Sequence, residues 1–125
     1  MLWGPRHPDR GANELKGAKM EVMMWAKLAK PESATNKEFF EIWRQESVAA
    51  IEAYRAGMIK NIWKVAGKYE VVAVMEVNSG DDLDAIVHSL PIWKLGYAHI
   101  VPEISWIPLR SYENWGEQLK ELSKG

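Results

Sequence analysis

The residues best placed to do chemistry in this 125-residue chain are one glutamate, two histidines and one lysine. Glu46 belongs to the series Phe39, Trp43, Glu46, Ala50 and Tyr54, whose spacings of three and four put it on the apolar face of a helix. Burial among indoles raises a carboxyl pKa and makes it a better base near neutrality, and one such group can both take a proton and return it. The competing reading is a carboxylate at the helix edge, paired with Arg44 or a lysine. His88 closes a second helix, where an imidazole could shuttle a proton or donate to an enolate, with Ser89 beside it as a substrate contact; a plain capping or surface role competes. His99 is the weaker candidate, because Ala98 and Ile100 on either side do not fix which way it points. Lys68 lies in a turn, where a cation could hold a substrate carboxylate while Tyr69 donates a hydrogen bond, or could simply be solvated.

Seven tryptophans are many for this length. Trp25, Trp43, Trp63 and Trp93 read as flat apolar walls for a cyclic organic ligand, against the alternative of a Trp-rich core and subunit interface. Other chemistries are poorly served. Cysteine is absent, so there are no disulfides and no thiolate nucleophiles or ligands. His7, His88 and His99 lack metal-ligand spacing, and no glycine-rich phosphate loop follows a strand, so neither a metal nor a nucleotide cofactor is expected. Sixteen basic against seventeen acidic residues, with no basic stripe among aromatics, argue against nucleic acid. The longest apolar runs fall far short of the roughly 20 residues that cross a bilayer, and the chain reads as cytoplasmic.

The elements that must position these groups follow from periodicity. Residues 1–19 hold two prolines, three glycines and no hydrophobic period, and read as a flexible tail. Lys16 to Met20 can be encoded by a purine-rich stretch like a bacterial ribosome-binding site, so Met20 is expected to be the true start, with a native extension as the alternative. Val22, Met24, Ala26 and Leu28 alternate with Glu21, Met23, Trp25 and Lys27 as a first strand. Thr35-Asn36-Lys37-Glu38 is a capping box that opens a long helix, which Gly57 stops. Ile59, Trp63 and Val65 share one side of a second strand with Lys60 and Lys64 opposite. Ala66-Gly67-Lys68 then turns the chain into a third strand, Tyr69 to Val77. A short helix from Asp81 to Ser89 ends at Pro91. Tyr97 to Ile107 reads as a last strand, with Pro102 marking an edge or bulge. Tyr112 to Lys124 can form a terminal helix, in an extension spanning residues 108–125.

The order strand, helix, strand, strand, helix, strand defines an α+β, ferredoxin-like domain over residues 20–125, with an antiparallel sheet and both helices on one face. The other face needs a cover. A second subunit is the economical one, giving a homodimer or larger homo-oligomer and a dimeric α+β barrel.

The stretch from Arg44 to Pro91 carries a family likeness, above all Ile62-Trp63-Lys64-Val65-Ala66-Gly67-Lys68-Tyr69 and Ser89-Leu90-Pro91. These resemble the basic-hydrophobic-Ala-Gly-x-Tyr turn after a Trp, and the Leu-Pro after the second helix, of muconolactone isomerases, in the same register over about Met20 to Val101. Glu46 aligns with an acidic position of the family helix. The resemblance implies a cofactor-independent isomerase that moves a double bond within a small unsaturated lactone by proton transfer, in aromatic catabolism. The chain departs from the family at Lys68 and Asn61, where histidines are usual, in Ile92 to Gly96, which lacks Phe-Pro, and in the segment beyond Trp106. Two other functions compete: a cofactor-free monooxygenase or cyclase acting on an aromatic, polyketide-like substrate, and a non-catalytic ligand-binding or assembly protein.

Overall fold

Alternation is the first expectation to meet the structure, a computed structural model that describes residues 19–125. The tail and the choice between Met1 and Met20 lie almost wholly outside those residues. Strand β1, Met20–Lys27, buries Val22 and Ala26 and turns Trp25 and Lys27 outward, as a period of two requires. Helix α1 spans Asn36–Arg55 and opens on the expected capping box. The Thr35 hydroxyl accepts from the Glu38 N–H at 3.1 Å, and the Glu38 carboxylate accepts from the Thr35 N–H at 2.8 Å. Its end is set by Gly57, whose φ of +83° favours a residue without a Cβ.

Strand β2, Ile59–Lys64, and strand β3, Glu70–Val77, form the hairpin. In the turn between them Gly67 takes φ +82°, while the Val65 N–H donates to the Glu70 carbonyl at 2.9 Å. Helix α2, Gly80–Ser89, is capped by Ser79, and the Asp82 carboxylate accepts from the Asn78 N–H at 2.7 Å. Leu90 is extended before Pro91, as a residue preceding proline prefers, so α2 stops there. Pro91 then starts a one-turn helix α3, Pro91–Lys94. Strand β4, Glu103–Leu109, and helix α4, Tyr112–Leu122, complete the chain.

The four strands form one antiparallel sheet in the order β2-β3-β1-β4, the ferredoxin-like arrangement. Its inner face carries two apolar clusters. Val22, Ala73, Met75 and Val77 pack with Leu83 and Ile86 of α2. Leu28, Phe39, Ile92 and Ile100 pack with Ile42 and Trp43 of α1. Both long helices of the βαββαβ unit therefore cover the same face. Across the other face run Asn61, Val74, Met23 and Ile107 in one row and Trp63, Val72, Trp25 and Ser105 in the next. Among the described residues no helix packs closely on that face, and no other helix or strand lies close beside α4.

Two details of the sequence reading are corrected. Ile59 and Trp63 do not share a face: an irregularity between Ile59 and Asn61 shifts the register, so Ile59 joins the inner cluster while Trp63 falls in the row of Val72 and Trp25. The last strand begins at Glu103, not Tyr97, and Ala98–Ile100 form a tight 3-10 turn that contains His99. Gly96 at φ +82° reverses the chain there, and local bonds from the Tyr97 N–H to Ile92 and the Ile100 N–H to Tyr97 satisfy the backbone without a sheet partner. Pro108 is accommodated because β4 is an edge strand, as proline requires.

Candidate active site

A cavity of about 400 Å³ opens between the inner sheet face and the helices, drawing its walls from both apolar clusters. Helix α1 supplies Trp43, Glu46, Ser47, Ala50 and Ile51, the stripe i, i+3, i+4, i+7, i+8 that one helical face presents. The sheet supplies inward residues from all four strands, including Met24, Ile62, Ala73, Met75 and Ile104. Leu90, Ile92 and Trp93 close it from the α2–α3 junction. Such a space falls within the range of small-molecule sites, roughly 300–1,000 Å³.

Glu46 is the one carboxylate on this wall among the described residues, and it is half-buried. Its Oε1 accepts a hydrogen bond from the backbone N–H of Ile92 at 2.9 Å. That N–H belongs to the first turn of α3, where the backbone donors have no partner inside the helix. Desolvation raises the Glu46 pKa above the ordinary carboxylate value, and the Ile92 bond opposes the rise only in part. The edge pairing with Arg44 is absent: Arg44 donates instead to Glu41, at 2.9 and 2.8 Å. That exposed pair holds the Glu41 carboxyl down at about 2.

The other sequence candidates separate into two groups. Trp43 and Trp93 line the cavity with Glu46, while Trp63, largely exposed on the edge strand, borders it but belongs to the row of Val72 and Trp25 on the sheet's other face. Tyr69 stands outside, edge-on to Trp43 at 5.6 Å between ring centroids and against Phe40 at 5.8 Å, so it supports the indole. His88 and Ser89, in the last turn of α2, are exposed and do not reach the lining; the Ser89 hydroxyl donates to the Ile86 carbonyl at 2.7 Å. Lys68 is exposed in the hairpin turn. Trp25 lies on the sheet's other face, where its indole N–H donates to the Glu70 carboxylate at 2.8 Å. His99 lines a separate polar cleft with Pro31, Lys37, Glu41 and Tyr97. The structure therefore brings Glu46 together with the indoles of Trp43 and Trp93 and leaves both histidines elsewhere.

Sequence reasoning missed Ser47 and Ile51, although both continue the α1 stripe, and Lys64, whose inward position depends on the β2 irregularity. Each is accounted for locally: the Ser47 hydroxyl donates to the Arg44 carbonyl at 2.7 Å and the Lys64 ammonium to the Val65 carbonyl at 3.0 Å. Among the described residues no cluster of histidine and carboxylate side chains could hold a metal ion, and no helix is long and apolar enough to cross a membrane.

Known proteins similar to this chain in sequence give the site its context. The chain is 31% identical over 64 residues to a muconolactone delta-isomerase of Rhodococcus opacus, a match covering 47% of this chain and 69% of that one. It is 27% identical over 63 residues to the muconolactone delta-isomerase of Acinetobacter baylyi, covering 50% of this chain and 66% of that one. The family model described as muconolactone delta-isomerase matches residues 20–114, from the start of β1 through β4 into α4, and so takes in every wall of the cavity around Glu46. By that match the chain belongs to the muconolactone delta-isomerase family.

Proposed function

We propose that this protein is an isomerase of aromatic catabolism that shifts a double bond within a small unsaturated lactone, using the Glu46 carboxyl as its proton carrier. The observation that carries the reading is a single half-buried carboxylate, with raised pKa, on the wall of an otherwise apolar cavity in a chain of this family. In the forward sense ionised Glu46 removes the acidic γ proton, at the far end of the conjugated carbonyl system, and the electron pair delocalises into a dienolate. Protonated Glu46 then returns the proton to the α carbon, which leaves the double bond shifted. No proton is gained or lost overall, and one carboxyl serves as base and then acid. A raised pKa matches the chemistry in both directions, since it makes the carboxylate a stronger base and favours the protonated form that returns the proton.

The indoles of Trp43 and Trp93 hold the ring flat against the carboxyl in this reading, and the apolar walls exclude water that would quench the dienolate. No redox or group-transfer step is needed, so the reaction runs without a cofactor. The second part of the proposal concerns assembly. The open sheet face, with Met23, Val72, Val74 and Ile107 at its centre, is covered by the same face of another copy, giving a homo-oligomer of paired sheets. Lys60 with Glu21 and Glu76 at one end, and Lys27 with Glu103 at the other, would form its charged rim.

The test is double-bond migration, followed by ultraviolet absorbance, in muconolactone and in its methyl ester, with wild type and Glu46→Gln. Turnover by wild type that falls about 10²–10⁴-fold in the variant supports the reading. Turnover unchanged in a folded variant removes Glu46 from it.

A further inference from the structure

We infer that the cavity beside Glu46 selects an uncharged ring compound, an unsaturated lactone or cyclic enone without a free carboxylate, and disfavours carboxylate-bearing lactones. This rests on the proposed role of the cavity as the substrate site and narrows its substrate class.

The lining is the first ground. Among the described residues that meet the cavity, only Glu46, Ser47 and Lys64 carry a polar side-chain atom besides the indole N–H groups. An anion placed there needs a cation or several donors to replace its hydration, because burying a bare carboxylate costs far more than burying a neutral carbonyl. Ser47 is committed to the Arg44 carbonyl of its own helix. Lys64 is the single cation on the lining among the described residues, and its ammonium donates to the Val65 carbonyl at the exposed edge of the sheet. Among the described residues no arginine lines the cavity to grip a carboxylate through two parallel bonds.

The remaining cations among the described residues are engaged or placed elsewhere. Lys60 is paired with Glu21 at 2.7 Å, Lys27 with Glu103 at 3.5 Å, and Arg44 with Glu41 at 2.8 Å. Lys68, the cation that the sequence offered for a substrate carboxylate, stays in the exposed hairpin turn outside the lining.

Repulsion is the second ground. Glu46 must be ionised to act as a base, and a second carboxylate in the same low-dielectric space would oppose that ionisation. A neutral carbonyl imposes no such conflict, and the indoles of Trp43 and Trp93 and a set of aliphatic side chains supply the contact area it needs.

Quenching of tryptophan fluorescence reports occupancy without requiring turnover, because Trp43 and Trp93 line the cavity. The probes are 2-naphthol and 2-naphthoate, rings of one shape that differ in charge at pH 7.5, titrated into the full-length protein and into Glu46→Gln and Lys64→Met. The expected result is 2-naphthol bound at least about tenfold more tightly than 2-naphthoate, the cost of one poorly compensated charge. The gap should narrow in Glu46→Gln and be unchanged in Lys64→Met. Binding of 2-naphthoate as tight as, or tighter than, 2-naphthol would overturn the inference, and its loss in Lys64→Met would identify the cation responsible. That outcome leaves the isomerase reading intact, since turnover of muconolactone tests it separately. Failure of both probes to bind would overturn the inference and the assignment of the cavity together.

Discussion

The Glu46 carboxylate and the backbone N–H of Ile92 meet at 2.9 Å, joining the middle of α1 to the first turn of α3 across the rim of the cavity. This bond fixes where the carboxyl points. It also leaves the other oxygen to serve a substrate, and it stabilises the ionised form enough to keep a desolvated acid usable as a base.

Catalysis should therefore depend on pH through Glu46 in its ionised form. The rate constant kcat/KM is expected to rise with pH along a slope of one and level off at a pKa above the ordinary value of 4.5, because burial disfavours the charge. A pH–rate profile that levels off below that value would show a different base.

Stability should respond with the opposite sense. A carboxyl whose folded pKa is raised contributes most below the unfolded pKa, near 4.5, and its contribution is lost as pH rises through the folded value. Glu46→Gln should be progressively stabilised relative to wild type across that window, as read by urea denaturation at several pH values.

Residues outside the cavity should be dispensable for turnover. Lys68→Met and His88→Gln are expected to leave kcat/KM within about twofold of wild type, since neither removes a group on the lining. A loss of a hundredfold in either would place that side chain at the reacting atoms in the assembled protein.

The core should be sensitive where α1 meets the sheet. Phe39 is 1% exposed and stacks against Trp43 at 5.9 Å, so Phe39→Ala should cost about 3–5 kcal/mol in equilibrium unfolding and loosen a cavity wall as well. Gly67→Ala meets no neighbour within 4 Å yet must hold φ +82°, and should cost roughly 1 kcal/mol from backbone strain alone.

Much of this architecture was legible in the chain because period and caps are local signals. The alternation from Val22 to Leu28, the Thr35–Glu38 box and the Gly57 and Gly67 reversals each act over a few residues, and each holds in the structure. Glu46 was legible for the same reason, since the α1 stripe alone puts it beside Trp43 and Ala50. What the sequence did not disclose depends on non-local geometry. The β2 irregularity moved Lys64 inward and Trp63 away from Ile59, and no local composition announces it. Tyr97 to Ile100 carry strand-like residue types, but Gly96 and bonds within the segment fold them into a turn, which takes His99 to a different cleft. Trp25 reads like the other indoles until the strand parity, odd against the even core positions, sends it to the open face.

That open face carries its own prediction. Met23→Lys sets a charge at the centre of the row Val74, Met23, Ile107 and should split the proposed homo-oligomer into folded monomers in sedimentation velocity, with the far-ultraviolet dichroism retained. An unchanged sedimentation coefficient at the size of an assembly would place the interface elsewhere.

The most direct test of the account is the rate of double-bond migration in muconolactone and its methyl ester, measured side by side for wild type and Glu46→Gln. The account predicts turnover by wild type and a fall of about 10²–10⁴-fold in a variant that still folds. A folded Glu46→Gln protein as fast as wild type, or a wild type inert toward both compounds, would contradict it.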